Sequence, residues 1–197
     1  MCQVYPYVKR VLDIVFSAAC LIALLPVFAA LSLAVALTSP GGAFFKQRRV
    51  GRGKELFDMI KFRTMRADTP SDVPTHLLKD PYAHITPVGR FLRRTSLDEL
   101  PQLVNILRGD MSFVGPRPAL WNQSDLIAER DKYGANDIRP GLTGLAQVSG
   151  RDELPIPKKA AYDGEYCRNM GFLPDCAILF KTVSSVAASK GVKEGGK

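Results

Sequence analysis

Two adjacent carboxylates, Asp98 and Glu99, stand in the run Arg93-Arg94-Thr95-Ser96-Leu97-Asp98-Glu99-Leu100-Pro101, beside two guanidinium groups. Leu100, Leu103, Val104 and Leu107 follow at helical spacing, which predicts an amphipathic helix from Asp98 to Leu107 that stops before Gly109. Either Ser96 or Asp98 fits its N-cap. Ser96-x-x-Glu99 has capping-box spacing, whereas capping by Asp98 keeps Pro101 in the first turn, where its missing N–H costs no intrahelical bond. In both cases the acidic pair lies at the positive end of the helix dipole. That field, with Arg93 and Arg94, should favour ionised carboxylates, which a nucleophile attacking phosphorus needs, and it attracts phosphate too. Two neighbouring carboxylates can also hold Mg²⁺. Ser, Asp and Glu in a first helical turn are equally the composition of an ordinary cap with no catalytic role.

Three basic segments could meet an anion. Gly115-Pro116-Arg117-Pro118 and Arg139-Pro140-Gly141-Leu142-Thr143-Gly144 each fix an arginine on a stiff turn, which suits a phosphate or a nucleotide. Plain loops carry the same residues. In Lys61-Phe62-Arg63-Thr64-Met65, a strand would set Lys61, Arg63 and Met65 on one face and Phe62 and Thr64 on the other. That basic face could line an anionic cleft or protect a solvated edge. No Walker loop and no G-x-G-x-x-G is present, and His76 and His84 are too isolated for a metal site or a triad. Cys2, Cys20, Cys167 and Cys176 lack metal spacing, which fits a reduced, cytoplasm-facing catalytic part.

The elements that must position these groups begin with an uncharged run from Ile14 to Leu37. As a helix it is long enough to cross a hydrocarbon core of about 30 Å, and it exceeds the roughly 7–15 residues of a signal peptide's apolar region. Pro26 should break it near Leu25-Pro26. Lys9 and Arg10 precede the run and Lys46, Arg48, Arg49, Arg52 and Lys54 follow it, so charge favours neither orientation of a straight span. A broken helix with both ends on the cytoplasmic side satisfies proline and charges together; a kinked span is the alternative. The chain of 197 residues then reads as a membrane segment (1–40), one catalytic domain (41–190) and a short flexible tail (191–197). Phe44-Phe45-Lys46 and Leu56–Phe62 read as a β-hairpin around Gly51-Arg52-Gly53, and Ala67–Pro87 as a long irregular loop. Helices are predicted over Ala119–Tyr133, Lys158–Met170 and Pro174–Ser189. The fold class is an α-rich α+β membrane-associated domain. Its 27 Lys+Arg against 19 Asp+Glu, a formal charge of +8, point to a polyanionic partner.

Taken in order, Pro26 in the apolar helix, Lys61–Met65, Ser96–Gln102, Asn105, Gly109–Pro118, Arg139–Gly141, Gly144–Val148 and Tyr162-Asp163-x-x-Tyr166 resemble the bacterial sugar transferase family. The resemblance covers nearly the whole chain and implies a small monotopic phosphoglycosyltransferase with a re-entrant membrane helix and several interfacial helices. It is similar to the minimal catalytic form, including the enzyme that starts bacterial N-linked glycan assembly. The implied reaction moves a sugar 1-phosphate from a UDP-sugar to undecaprenyl phosphate and releases UMP. Asp98 would be the nucleophile of a ping-pong mechanism through an aspartyl phosphosugar, with Glu99 helping to bind Mg²⁺ or to position the pair. By the same resemblance Arg93 and Arg139 contact phosphate, Arg117 lies near the nucleotide, and Asp163 matches a recurring acid. Lys61 completes the expected substrate-binding set. The implied location is the cytoplasmic face of the bacterial inner membrane, with membrane lipid and downstream membrane glycosyltransferases as partners and no nucleic acid. Leu25 stands where some relatives have Ser before the helix-breaking proline, and Ser149-Gly150-Arg151 replaces the more usual Asn-Gly-Arg. The competing reading is a non-catalytic, membrane-tethered basic module for anionic lipid or nucleic acid, which gives Asp98 and Glu99 no role.

Overall fold

The computed structural model describes residues 4–70, 80–150 and 154–187. Cys2, His76, Arg151 and the predicted tail at 191–197 lie outside the described residues, as does the middle of the predicted loop. The apolar run forms two helices, α1 (Tyr5–Ala23) and α2 (Leu25–Thr38), bent by 65° at Leu24. Pro26 falls in the first turn of α2, where a proline has no helical partner to lose. The bend therefore sits two residues before the proline, which starts the second helix and does not interrupt one. Among the described residues no single helix is long and apolar enough to cross a membrane, but the bent pair passes that test together.

Both helices carry core packing. Cys20, Leu21, Leu24 and Phe28 lie against the buried cluster Met59, Leu103, Ile106 and Met111. Val35, Leu31 and again Phe28 pack with Phe62 and Leu92. The opposite surface of the pair leaves Tyr7, Val11, Phe16, Ile22, Leu33 and Leu37 exposed.

The hairpin forms where the alternation predicts, with β1 (Phe44–Val50), four residues longer than the expected Phe44–Lys46, antiparallel to β2 (Leu56–Phe62) and Phe44 opposite Phe62. Its turn spans Arg52–Lys54 and takes positive φ at Gly53 and Lys54. After the short α3 (Pro81–His84) comes α4 (Pro87–Thr95), capped by the Thr86 hydroxyl accepting from Gly89 N–H. Sequence periodicity had not marked α4.

The predicted helix from Asp98 is the main local correction. Leu97–Glu99 form a 3₁₀ turn, and the α-helix proper, α5, runs only from Gln102 to Arg108. Neither Ser96 nor Asp98 caps α5; Pro101 holds the N-cap position, without a side-chain bond. Ser96 instead takes the left-handed conformation (φ 57°, ψ 16°), so the chain turns sharply between α4 and the acidic pair. The fully buried Asn105 then ties α5 to β2: its Oδ1 accepts from Ile60 N–H at 3.0 Å and its Nδ2 donates to the Asp58 carbonyl at 2.9 Å.

The second half adds β3 (Ser112–Val114) parallel to β4 (Gly141–Thr143), and α6 (Ser124–Asp131), α7 (Leu145–Ser149), α8 (Ile156–Asn169) and α9 (Phe172–Ala187). The helix expected from Ala119 begins five residues later, because Leu120 first pairs with Arg49 of β1 in an antiparallel bridge. Helices predominate, as the sequence suggested, and α9 leaves Phe172, Leu173, Phe180 and Val183 exposed.

Candidate active site

A cleft of about 670 Å³ opens between the hairpin, the Asp98 turn, α6, α7 and α9. Alternate residues of β1, Phe45, Gln47 and Arg49, face it, as period-two side-chain geometry requires. Lys61 of β2 faces it as well, next to Asp98 and Glu99. The far wall is mixed: Arg117, Gln123, Arg130, Gln147 and Lys159 are polar, whereas Leu142, Leu179, Val183 and Val186 are apolar. The cleft thus offers both cations and hydrocarbon to one ligand or to a pair.

Local chain geometry brings the acidic pair to its floor. Gly89 packs so closely on the Thr64 backbone that a side chain there would overlap its carbonyl. That approach brings Arg93, one turn further along α4, to the cleft, where its Nε donates to Thr64 Oγ1 at 3.1 Å. The left-handed Ser96 then reverses the chain and delivers Asp98 to the same wall.

Asp98 is only 8% exposed. Burial pushes its carboxyl up to about 6 from 3.8, against the pull of Lys61, Arg93 and Arg117 and with help from the neighbouring Glu99 charge. The sequence had suggested that the arginines would favour the ionised form; desolvation outweighs them. Above its raised pKa the group is still mainly a carboxylate. Glu99 Oε1 accepts from Lys61 Nζ at 2.7 Å and lies 3.7 Å from Arg117 Nη2. Lys61, Arg93 and Arg117 therefore gather around the pair. Arg63 is partly diverted: its guanidinium bonds the carbonyls of Gly41, Gly42 and Phe44 and anchors the turn after α2.

Two other expected residues stand elsewhere. Arg139 donates from Nε to the Gly109 carbonyl at 2.9 Å and lines a separate pocket of about 160 Å³, with Arg10, Arg52 and Ser112. Asp163 is 1% exposed beneath the cleft and does not line it. Its Oδ2 accepts from Arg130 Nε at 2.8 Å and lies 2.7 Å from Arg130 Nη2. Burial raises the Asp163 pKa despite the attraction of Arg130. Arg130 itself, which the sequence reading missed, is the group that meets the cleft. Arg49 and Gln47 were missed too, although the alternation read at Lys61–Met65 applies equally to Phe45–Arg49.

Among the described residues no cluster of three or more His, Cys, Asp or Glu side chains could hold a metal ion. The dyad supplies two carboxylates.

A buried carboxylate among cations, beside an apolar wall, is suited to transferring an anionic group between a charged and a lipid-like substrate. The bacterial sugar transferase family description matches residues 4–189, so the chain belongs to the bacterial sugar transferase family and is a sugar-phosphate transferase. It is similar to the exopolysaccharide production protein ExoY of Sinorhizobium fredii, 36% identical over 93% of this chain and 87% of that protein. Caulobacter vibrioides has a UDP-glucose:undecaprenyl-phosphate glucose-1-phosphate transferase that is 41% identical, over 90% of this chain and 69% of its own. The undecaprenyl-phosphate galactose phosphotransferase of Salmonella typhimurium is 40% identical over 94% of this chain, which spans 41% of that longer protein.

Proposed function

We propose that this enzyme transfers a sugar 1-phosphate from a UDP-sugar to undecaprenyl phosphate, in two displacements at one phosphorus. In the first, a carboxylate oxygen of Asp98 attacks the β-phosphorus, the bond to the bridging oxygen breaks, and UMP leaves with the electron pair. In the second, a phosphate oxygen of undecaprenyl phosphate attacks the same phosphorus and Asp98 departs as carboxylate. The product is an undecaprenyl diphosphate sugar. Neither step consumes a proton, so Asp98 only has to be ionised.

The observation that carries this reading is the burial of Asp98 on the floor of a cleft ringed by Lys61, Arg93 and Arg117. A desolvated carboxylate is a better nucleophile than a hydrated one, and fixed cations stabilise charge that builds on the phosphoryl oxygens. Lys61 holds Glu99 to one side, which leaves Asp98 to attack. Arg93 and Arg117 take the phosphates, and Arg130, set by Asp163, adds a further cation to the cleft, whereas Arg139 lines the separate pocket. The apolar wall from Leu142 to Val186 accommodates the first isoprene units of the acceptor.

Two carboxylates fit Mg²⁺, which commonly binds one or two such groups and completes its shell with substrate phosphates. The raised Asp98 pKa marks a carboxylate with less cationic compensation than its burial calls for. Asp98 and Glu99 would hold the ion, and when bound it would supply positive charge against the diphosphate.

The bent pair α1 and α2 supports a re-entrant arrangement, entering and leaving one leaflet, with the cleft on the cytoplasmic side of the inner membrane. There the lipid product is available to downstream membrane glycosyltransferases. The tethered basic module gives no reason for burying Asp98 at an energetic cost.

The test is UMP release by detergent-purified protein with Mg²⁺, undecaprenyl phosphate and a panel of UDP-sugars. We expect release with one donor and loss of turnover in Asp98→Asn. Equal turnover by well-folded Asp98→Asn would overturn the assignment of the nucleophile, and silence of the wild type with every donor would overturn the reaction.

A further inference from the structure

The pocket that holds Arg139 is unrelated to the Asp98 cleft, yet strand β3 lies between the two. Phe113 faces the cleft, while Ser112 and Val114 face the smaller pocket. Besides Ser112, this pocket presents Arg10, Arg52 and Arg139 against Asp13 and Asp137. Lys9 also borders it, already paired with Asp175.

Backbone carbonyls consume only part of this guanidinium capacity. Arg10 commits both terminal nitrogens to carbonyls, Nη1 on Ile106 at 2.6 Å and Nη2 on Leu107 at 2.9 Å. Arg139 and Arg52 spend only Nε, on Gly109 and Asp137 carbonyls respectively, so their terminal nitrogens bond no described residue. Ser112 is 1% exposed and its hydroxyl has no partner among the described residues. A buried orphan hydroxyl costs free energy unless something satisfies it. Burial, with Arg10 and Arg52 nearby, also holds Arg139 below the ordinary guanidinium range, the response of a cation short of anions. Asp13 does not answer that shortage in full, since its Oδ1 accepts from Phe113 N–H at 3.1 Å.

The neighbourhood says what presents the anion. Pro6, Lys9, Arg10 and Asp13 turn one face of α1 toward the pocket, and Tyr7, Val8 and Val11 leave the other face exposed and apolar. A ligand with a phosphate and hydrocarbon tails meets both surfaces at once.

We propose that this pocket is a phosphate site for the head group of an anionic phospholipid, held by the free ends of Arg52 and Arg139 and by the Ser112 hydroxyl. Recognition is by the phosphate, so inorganic phosphate is the competing source.

The test is native mass spectrometry of the full chain released from detergent, with short-chain phosphatidylglycerol, phosphatidylcholine of equal tail length, and inorganic phosphate as separate arms. Arg52→Gln removes charge-assisted bonds from a surface side chain and should weaken phosphatidylglycerol retention about tenfold. Lys54→Gln removes the same charge two residues away, from a side chain paired with Asp131 outside the pocket, and should leave retention unchanged. Ser112→Ala should lower it with no change of net charge. Binding of inorganic phosphate that is lost in Arg52→Gln, with neither lipid retained, would support the phosphate site and overturn the lipid as its source, and equal retention of the two lipids would overturn the anionic head group. Equal losses in Lys54→Gln and Arg52→Gln would reduce the effect to general surface charge and overturn the proposal, as would unchanged retention in all three variants.

Discussion

Replacing the proposed nucleophile should make the protein sturdier. Asp98 titrates near 6 in the fold and at 3.8 when unfolded, chiefly because burial strips its carboxylate of water. The native state then holds a proton that the unfolded chain releases between about pH 4 and 6, so stability falls as pH rises through that window and levels off above it. The gap from 3.8 to about 6 amounts to about 3 kcal/mol lost by wild type at neutral pH. The amide introduced by Asp98→Asn has nearly the same shape as the carboxylate and no charge to desolvate. In metal-free, donor-free protein at pH 7.5 the variant should gain up to about 3 kcal/mol, or about 6–12 °C in Tm for a chain of this size. The assay is thermal or urea unfolding of both proteins across pH 4–8 in one detergent. The gain should shrink toward zero near pH 4, where Asp98 is protonated in wild type as well, and added Mg²⁺ should narrow it at neutral pH. A variant no more stable at pH 7.5, or a gain that does not change with pH, would refute the claim that desolvation dominates at this carboxylate.

Two further outcomes follow from the packing around the cleft. Asp163→Ala strands Arg130 without its buried partner and should cost about 3–5 kcal/mol, whereas the double change Arg130→Met with Asp163→Leu should be close to neutral in stability; both are read by urea unfolding, and the double variant should also raise KM for the UDP-sugar. Gly89→Ala sets a methyl group against the Thr64 carbonyl and should destabilise by about 1–3 kcal/mol, with a loss of UMP release because α4 carries Arg93.

The hairpin and the break between α1 and α2 were legible because their signals are local. Period-two alternation with a Gly-x-Gly turn needs no knowledge of the rest of the chain, nor does a proline in an uncharged run. Asp98 and Glu99 stood out as candidates for a similar reason, since adjacent acids close to arginines can be read from the sequence without the fold. The conformation of that stretch was not. Helical spacing of Leu100, Leu103, Val104 and Leu107 extends smoothly back to Asp98, but the left-handed Ser96 and the 3₁₀ turn are imposed by α4 docking on Thr64. Arg139 and Arg117 look alike in sequence, each stiffened by proline. What separates them is the β3–β4 pairing, a contact between segments almost thirty residues apart that places Arg139 on the far side of the strand. Arg130 had no local signal at all: its role is visible only once Asp163, on another helix, is seen to hold it.

Phe28, just past the bend, belongs to both principal cores, touching the cluster around Met59 and Ile106 and the one around Phe62 and Leu92. The segment that reads in sequence as an anchor is therefore a working part of two of the core clusters. Trimming the chain to begin at Gly41 would strip Met59, Phe62 and Leu92 of the apolar cover that Leu21, Leu24, Phe28, Leu31 and Val35 supply, and should lower stability. A change aimed at solubility therefore has to leave the inner face of α1 and α2 in place and act on the exposed residues of the outer face, Tyr7, Val11, Phe16, Ile22, Leu33 and Leu37.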